Sequence, residues 1–224
     1  MNITTRATWS AVIFTAVVSG VVATPVPPPT PTPIPAPSAK AKVGQKAPAF
    51  SLSDTDGKQH ALKDYAGKII VLEWFNADCP FSGKDGRRSV HATGRATAVR
   101  KQLKIVDPGI VYLLVDSTAH RKTKPDIIAT DKAARTQWKI DAPILIDFDG
   151  KVGRAYSAKT TPHMFIIDEA GVLRYEGAFD DNQRNADRDD TTNYVLAAVK
   201  KLKAGEPPSP SHVKSWGCSV KYGL

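Results

Sequence analysis

Apolar positions in this chain alternate between two periods. Ile69–Phe75 is a continuous apolar run broken only by Glu73, as expected of a strand covered on both faces. Ile110–Asp116 reads the same way, and Ile144–Phe148 is a shorter version before an Asp-Gly turn and a small helix at Val152–Tyr156. Met164–Asp168 and Val172–Tyr175 flank Glu169-Ala170-Gly171 as a hairpin, and Ala49–Leu52 with Asp56-Gly57 predicts an opening one. Helical spacing covers Lys124–Trp138 and Asn193–Lys203, the second with Val195, Leu196, Val199 and Leu202 on one face. A further helix is expected from Pro80 to about Leu103, because proline suits a first helical turn. Two βα units, a hairpin and a final helix make a mixed sheet covered on both sides, an α/β sandwich.

The first 40 residues follow a different pattern. Trp9–Ala23 is an apolar run of about 15 residues behind a single charged side chain, Arg6, with Val21 and Ala23 as small residues before a cut at Thr24. That layout predicts a secretory signal over residues 1–23, its rival being an uncleaved membrane anchor. Residues 24–40 are proline-rich and read as a polyproline II spacer. Residues 41–205 then form one domain, and 206–224 a tail beyond the bend EPPSPS. The expected location is exported, periplasmic or secreted, with membrane contact only through a retained N-terminal segment.

The formal charge of +9 is scattered (Arg87, Arg88, Arg95, Arg100, Lys101, Lys200) rather than interleaved with aromatics. It predicts a solvated basic surface rather than a nucleic-acid platform. Five histidines (His60, His91, His120, His163, His212) lie apart, so neither metal site nor cofactor is expected. His163, next to Pro162, reads as a half-exposed strand histidine. The acidic stretch from Asp180 to Asp190 lacks the glycine and terminal glutamate of a calcium loop, and reads as a solvated loop ending in a cap at Thr191 or Thr192.

Chemistry concentrates at Cys79, one of two cysteines, where a buried strand gives way to an expected helix. Backbone N–H groups and the dipole at a helix start stabilise a thiolate, the reactive form of cysteine. Glu73 lies six residues earlier inside the apolar strand, where desolvation is expected to raise its pKa.

The ordered set VGQKAPAFSLSDTDGK, IIVLEWF running into Cys-Pro-Phe-Ser, Thr161-Pro162 before HMFIID, and GVLRYEGAFDD resembles the thioredoxin-like superfamily. Its redoxin branch, with AhpC/TSA-like and TlpA/ResA-like proteins, is the nearest pattern. The resemblance implies a three-layer α/β/α sandwich and thiol–disulfide exchange. Cys79 would be the nucleophile and Glu73 a proton-exchanging carboxylate beneath it. A cis Pro162 and the backbone of Thr161 would be the substrate edge, with Pro80, Phe81, Ser82 and Asn76 around the sulfur. Substrates would be thiol or disulfide proteins or small peroxides, with an external thiol as reductant.

The sequence departs from that pattern at Ser82, which stands where a second cysteine would complete Cys-x-x-Cys. Cys218, 139 residues downstream, is the other thiol, so it is either a distant resolving partner or half of a structural bridge worth about 5 kcal/mol. The peroxidase signature P-x-x-x-T-x-x-C is replaced by Leu72 and Asn76, which removes groups that would polarise a peroxide, unless the Asn76 amide donates instead. A thiol peroxidase and a non-catalytic redoxin fold are therefore the alternatives to an exchange enzyme.

Overall fold

A computed structural model describes Met1 and residues 40–84, 86–183, 188 and 190–223. The predicted signal and nearly all of the proline-rich spacer lie outside the described residues. Among the described residues, no helix is long and apolar enough to cross a membrane.

The centre is a six-stranded sheet in the order β5-β4-β3-β7-β8-β9. Its strands are β3 (Ile70–Trp74), β4 (Val111–Asp116), β5 (Ile144–Ile146), β7 (His163–Ile167), β8 (Leu173–Gly177) and β9 (His212–Val213). β3, β4 and β5 run parallel, whereas β7 is antiparallel to both β3 and β8. β1 (Ser51–Ser53) and β2 (Gln59–Ala61) form the opening hairpin, and β6 (Thr160–Thr161) pairs with β10 (Cys218–Ser219). This is the thioredoxin-like α/β arrangement with a mixed central sheet.

The alternation along β3 divides the core. Ile69, Val71 and Phe75 join Tyr112, Leu114 and Ile166 beneath α1 (Arg95–Val106) and α4 (Tyr194–Lys203). Ile70, Leu72 and Trp74 join Leu113, Val115 and Phe165 beneath α3 (Lys151–Tyr156). On that second face Trp74, Tyr156 and Phe165 pack mutually at 5.0–5.4 Å between ring centroids, each pair adding about 0.5–1.5 kcal/mol beyond its burial. Local signals also hold: α2 (Lys124–Gln137) starts with a capping box between Thr123 and Asp126.

Four expectations are corrected. The helix predicted from Pro80 begins only at Arg95, and residues 80–94 form successive turns. Gly86 and Gly94 have positive φ (145° and 77°), which breaks helical continuity there. The cap of α4 is Asn193, whose Oδ1 accepts the Leu196 N–H at 2.9 Å, rather than Thr191 or Thr192. Asp180, read as solvated, is buried and paired with Arg95 at 2.6 Å. Arg100 is likewise buried: its apolar stem lies in the α1 interface while its head reaches Asp141 at 2.5 Å.

Candidate active site at the Cys79–Cys218 edge

After Trp74 the chain leaves the sheet and turns at Asn76, whose Oδ1 accepts the Asp78 N–H at 2.7 Å. That Asx turn delivers Cys79, whose N–H bonds the Asn76 carbonyl at 3.1 Å. The Cys79 carbonyl then accepts from the N–H groups of Ser82, Gly83 and Lys84, closing a compact turn. Gly83 is required by close approach, since a Cβ there would lie 2.6 Å from Ala77 Cα and 2.7 Å from the Asn76 oxygen. The sulfur thus sits on a tight turn instead of at a long helix start. One backbone donor reaches it, the Phe81 N–H at 3.4 Å.

The thiol itself is 2 % exposed and donates to the Thr161 carbonyl at 3.1 Å. The Thr161-Pro162 bond is cis, as the resemblance implied. Thr161 is not an open edge, however. In the β6–β10 ladder Cys218 stands directly opposite Thr161, and Ser219 opposite Thr160. The ladder continues through the Val220 N–H to the Lys159 carbonyl at 3.0 Å. Both cysteines are free thiols. Burial, and after it the neighbouring Cys79 sulfur, push the Cys218 thiol up to about 11.

Residues that sequence reasoning passed over hold the tail in place. Trp216 meets the Phe81 ring edge-on at 6.2 Å and donates its Nε1–H to the Asp180 carbonyl at 2.7 Å. Gly217 has φ +123°, and a Cβ there would fall 2.2 Å from the Thr161 oxygen. Farther on, Tyr222 donates to the Ala158 carbonyl at 2.9 Å and stacks under Arg154 at 4.7 Å. The Ala119 and His120 N–H groups bond the Lys221 carbonyl. The available signal was the dipeptide Gly217-Cys218, because glycine before a reactive residue marks close backbone approach.

The remaining predicted residues divide. Phe81 faces the tail and lies under the Arg88 guanidinium at 4.8 Å. Pro80 is half-buried beside the sulfur. Ser82 is fully buried and braces the turn, its carbonyl accepting from Ser89 Oγ at 2.7 Å. Asn76 spends its side-chain oxygen on the turn. Glu73 is fully buried, with one oxygen on His91 Nε2 at 2.9 Å and the other accepting from Tyr112 OH at 2.6 Å. Desolvation pushes its pKa up, but the charge and hydrogen bond of His91, the Tyr112 hydroxyl and Arg100 outweigh it, leaving Glu73 below its ordinary value. The expected rise is therefore corrected. His163 is buried rather than half-exposed, and burial with the charges of Lys159 and His212 holds it down to about 3, so it is neutral beside the site. No group of three or more metal-ligating side chains occurs among the described residues.

Comparison with known proteins agrees with this architecture. The AhpC/TSA family model matches residues 43–176. The thioredoxin-like protein YneN of Bacillus subtilis is 28% identical over 131 residues, covering 58% of this chain and 68% of that one. The thiol-disulfide oxidoreductase ResA of Geobacillus thermodenitrificans is 27% identical over 136 residues, covering 59% and 67%. Among solved structures, a hypothetical protein from Sinorhizobium meliloti matches with TM-score 0.67 at 23% identity, over 84% of this chain and 99% of that one. A conserved protein from Geobacillus kaustophilus matches at 0.66 and 23%, over 81% and 93%.

Proposed function

This chain belongs to the AhpC/TSA family, and we propose from that premise that it is an exported thiol–disulfide oxidoreductase whose redox pair is Cys79 and Cys218. The observation that carries the proposal is the pairing of Cys218 opposite Thr161, the residue whose carbonyl holds the Cys79 thiol. A cysteine 139 positions away has taken the place that Ser82 leaves vacant in the local motif. The family match supports the fold, and the ResA and YneN similarities support the reaction class. The N-terminal apolar run supports export.

The residues have distinct tasks. Cys79 supplies the sulfur that forms and breaks the bond to Cys218, with the Phe81 N–H donating to it. Thr161 and Pro162 present the backbone edge, and Phe81 with Trp216 seats the tail at the register that sets Cys218 opposite Thr161. Pro80, Ser82 and Asn76 shape the turn. Glu73 sends both oxygens away to His91 and Tyr112, so its task is to fix the floor under the turn.

Reduced full-length protein is mixed with oxidised glutathione and followed by mass spectrometry. The wild type is expected to end as an intramolecular Cys79–Cys218 disulfide, while Cys79→Ser and Cys218→Ser each stall as glutathione adducts. A wild type that stalls as an adduct in the same way would overturn the proposal.

A further inference from the structure

Once the two sulfurs are joined, they are not equivalent to an incoming thiol. Cys79 lies below the tail at 2 % exposure, while Cys218 is half-buried on the outer strand. Oxidation ties β10 to Cys79, so the cover over Cys79 becomes covalent. The strap is also held at points remote from the sulfurs: Trp216 on Phe81 and Asp180, Val220 on Lys159, Tyr222 on Ala158.

Thiol–disulfide exchange requires the attacking sulfur to approach along the S–S axis, opposite the sulfur that leaves. Attack on Cys79 must therefore come from the side away from Cys218. The Phe81 N–H lies against Cys79, and the backbone from Asn76 to Lys84 closes a tight turn around it. Attack on Cys218 comes from the side away from Cys79, and Cys218 is the more exposed of the two.

Resting on the redox-pair reading above, we infer that polypeptide thiols exchange with this protein at Cys218, with Cys79 as the buried sulfur that leaves. The step is R–S⁻ plus Cys79–S–S–Cys218 giving R–S–S–Cys218 and the Cys79 thiolate. One S–S bond forms as one breaks, and the electron pair of the incoming thiolate ends on Cys79. A second thiolate then attacks the mixed disulfide, releasing R–S–S–R and Cys218 as thiolate, which takes a proton from water. The net change is oxidation of two partner thiols and reduction of the protein by two electrons. Read backwards, Cys79 attacks the tail-borne sulfur of a Cys218 mixed disulfide. The Thr161 edge itself is closed to other extended segments, because this chain's residues 218–220 already occupy it.

The test uses the oxidised full-length protein and a polyethylene-glycol thiol of about 5 kDa, a probe too large to enter below β10. Mixed disulfides are trapped with acid and maleimide and mapped by digestion. The expected result is the polymer on Cys218 and maleimide on Cys79. As a second reading, 2-mercaptoethanol and the polymer thiol should open the disulfide at rates within tenfold of each other. Polymer on Cys79, or a polymer rate lower by a hundredfold or more, would overturn the inference. If oxidation yields no Cys79–Cys218 disulfide at all, the redox-pair reading fails and this inference with it.

Discussion

Gly217→Ala is the change that most directly probes the docked tail. Gly217 sits at φ +123°, a conformation that side chains other than glycine seldom adopt, and holding one there costs about 1–3 kcal/mol. Its new Cβ would also lie 2.2 Å from the Thr161 oxygen, 2.8 Å from the Thr161 carbonyl carbon and 3.3 Å from Pro162 Cδ. The first two are backbone atoms fixed by the β6 ladder, so no rotamer relieves the contact. The strand that yields is β10, whose partner residues are Cys218 and Ser219. Taking the backbone term alone, the population with the tail lifted rises by roughly 5- to 150-fold. The assay is iodoacetamide modification of Cys79 in the Cys218→Ser background, with and without Gly217→Ala, read by mass spectrometry. The expected outcome is faster modification by a factor in that range, with global stability to urea changed far less. Equal rates in the two proteins would refute the claim that the tail covers Cys79.

Three further outcomes follow from the buried charges and the turn. Asp116 and Asp131 are both buried; burial pushes Asp116 up to about 6, and burial with the charge of Asp116 pushes Asp131 well above its ordinary value. The folded state then binds more protons than the unfolded chain above about pH 4, so this pair favours folding in acid, and the benefit is lost as pH rises, through about 6 for Asp116 and higher for Asp131. Asp131→Asn should flatten that slope and stabilise the protein at pH 7.5 by about 1–3 kcal/mol in urea titration, and a loss of stability there would count against it. Glu73→Ala removes the buried partner of His91 and Tyr112 and should cost about 3–5 kcal/mol. A loss below 1 kcal/mol would show that the carboxylate does not brace the core. Because Leu72 and Asn76 replace the proline and threonine of the peroxidase signature and Cys79 is buried, hydrogen peroxide should oxidise Cys79 no faster than an ordinary free cysteine. A rate higher by orders of magnitude in a stopped-flow or alkylation assay would revive peroxide chemistry.

The fold was legible because its central strands are almost wholly buried: Ile69–Phe75 and Ile110–Asp116 carry their pattern without help from partners. Cys79 was legible from its place after the first of those strands, and the cis Pro162 from the family resemblance alone. The segment after Cys79 was not, because Pro80 and the apolar spacing suggest a helix while close packing at Gly83 and the positive φ of Gly86 and Gly94 prevent one. The pKa direction of Glu73 was hidden as well, since it depends on His91, Tyr112 and Arg100, which only the tertiary structure brings to one carboxylate. Pairing of the tail with β6 is a contact between residues far apart in sequence, and Gly217 was its one local trace. His163 and Asp180 looked exposed because their polarity was read without the tail segments, His212 and Trp216, that pack nearby.

The most direct test of the central claim is the redox midpoint of the full-length protein, equilibrated in glutathione buffers and read as the fraction of Cys79–Cys218 disulfide by mass spectrometry. A working pair predicts a reversible two-electron transition between about −120 and −270 mV, the span of known exchange enzymes. A midpoint below about −300 mV would make the bridge structural, and thiols that never join would contradict the account outright.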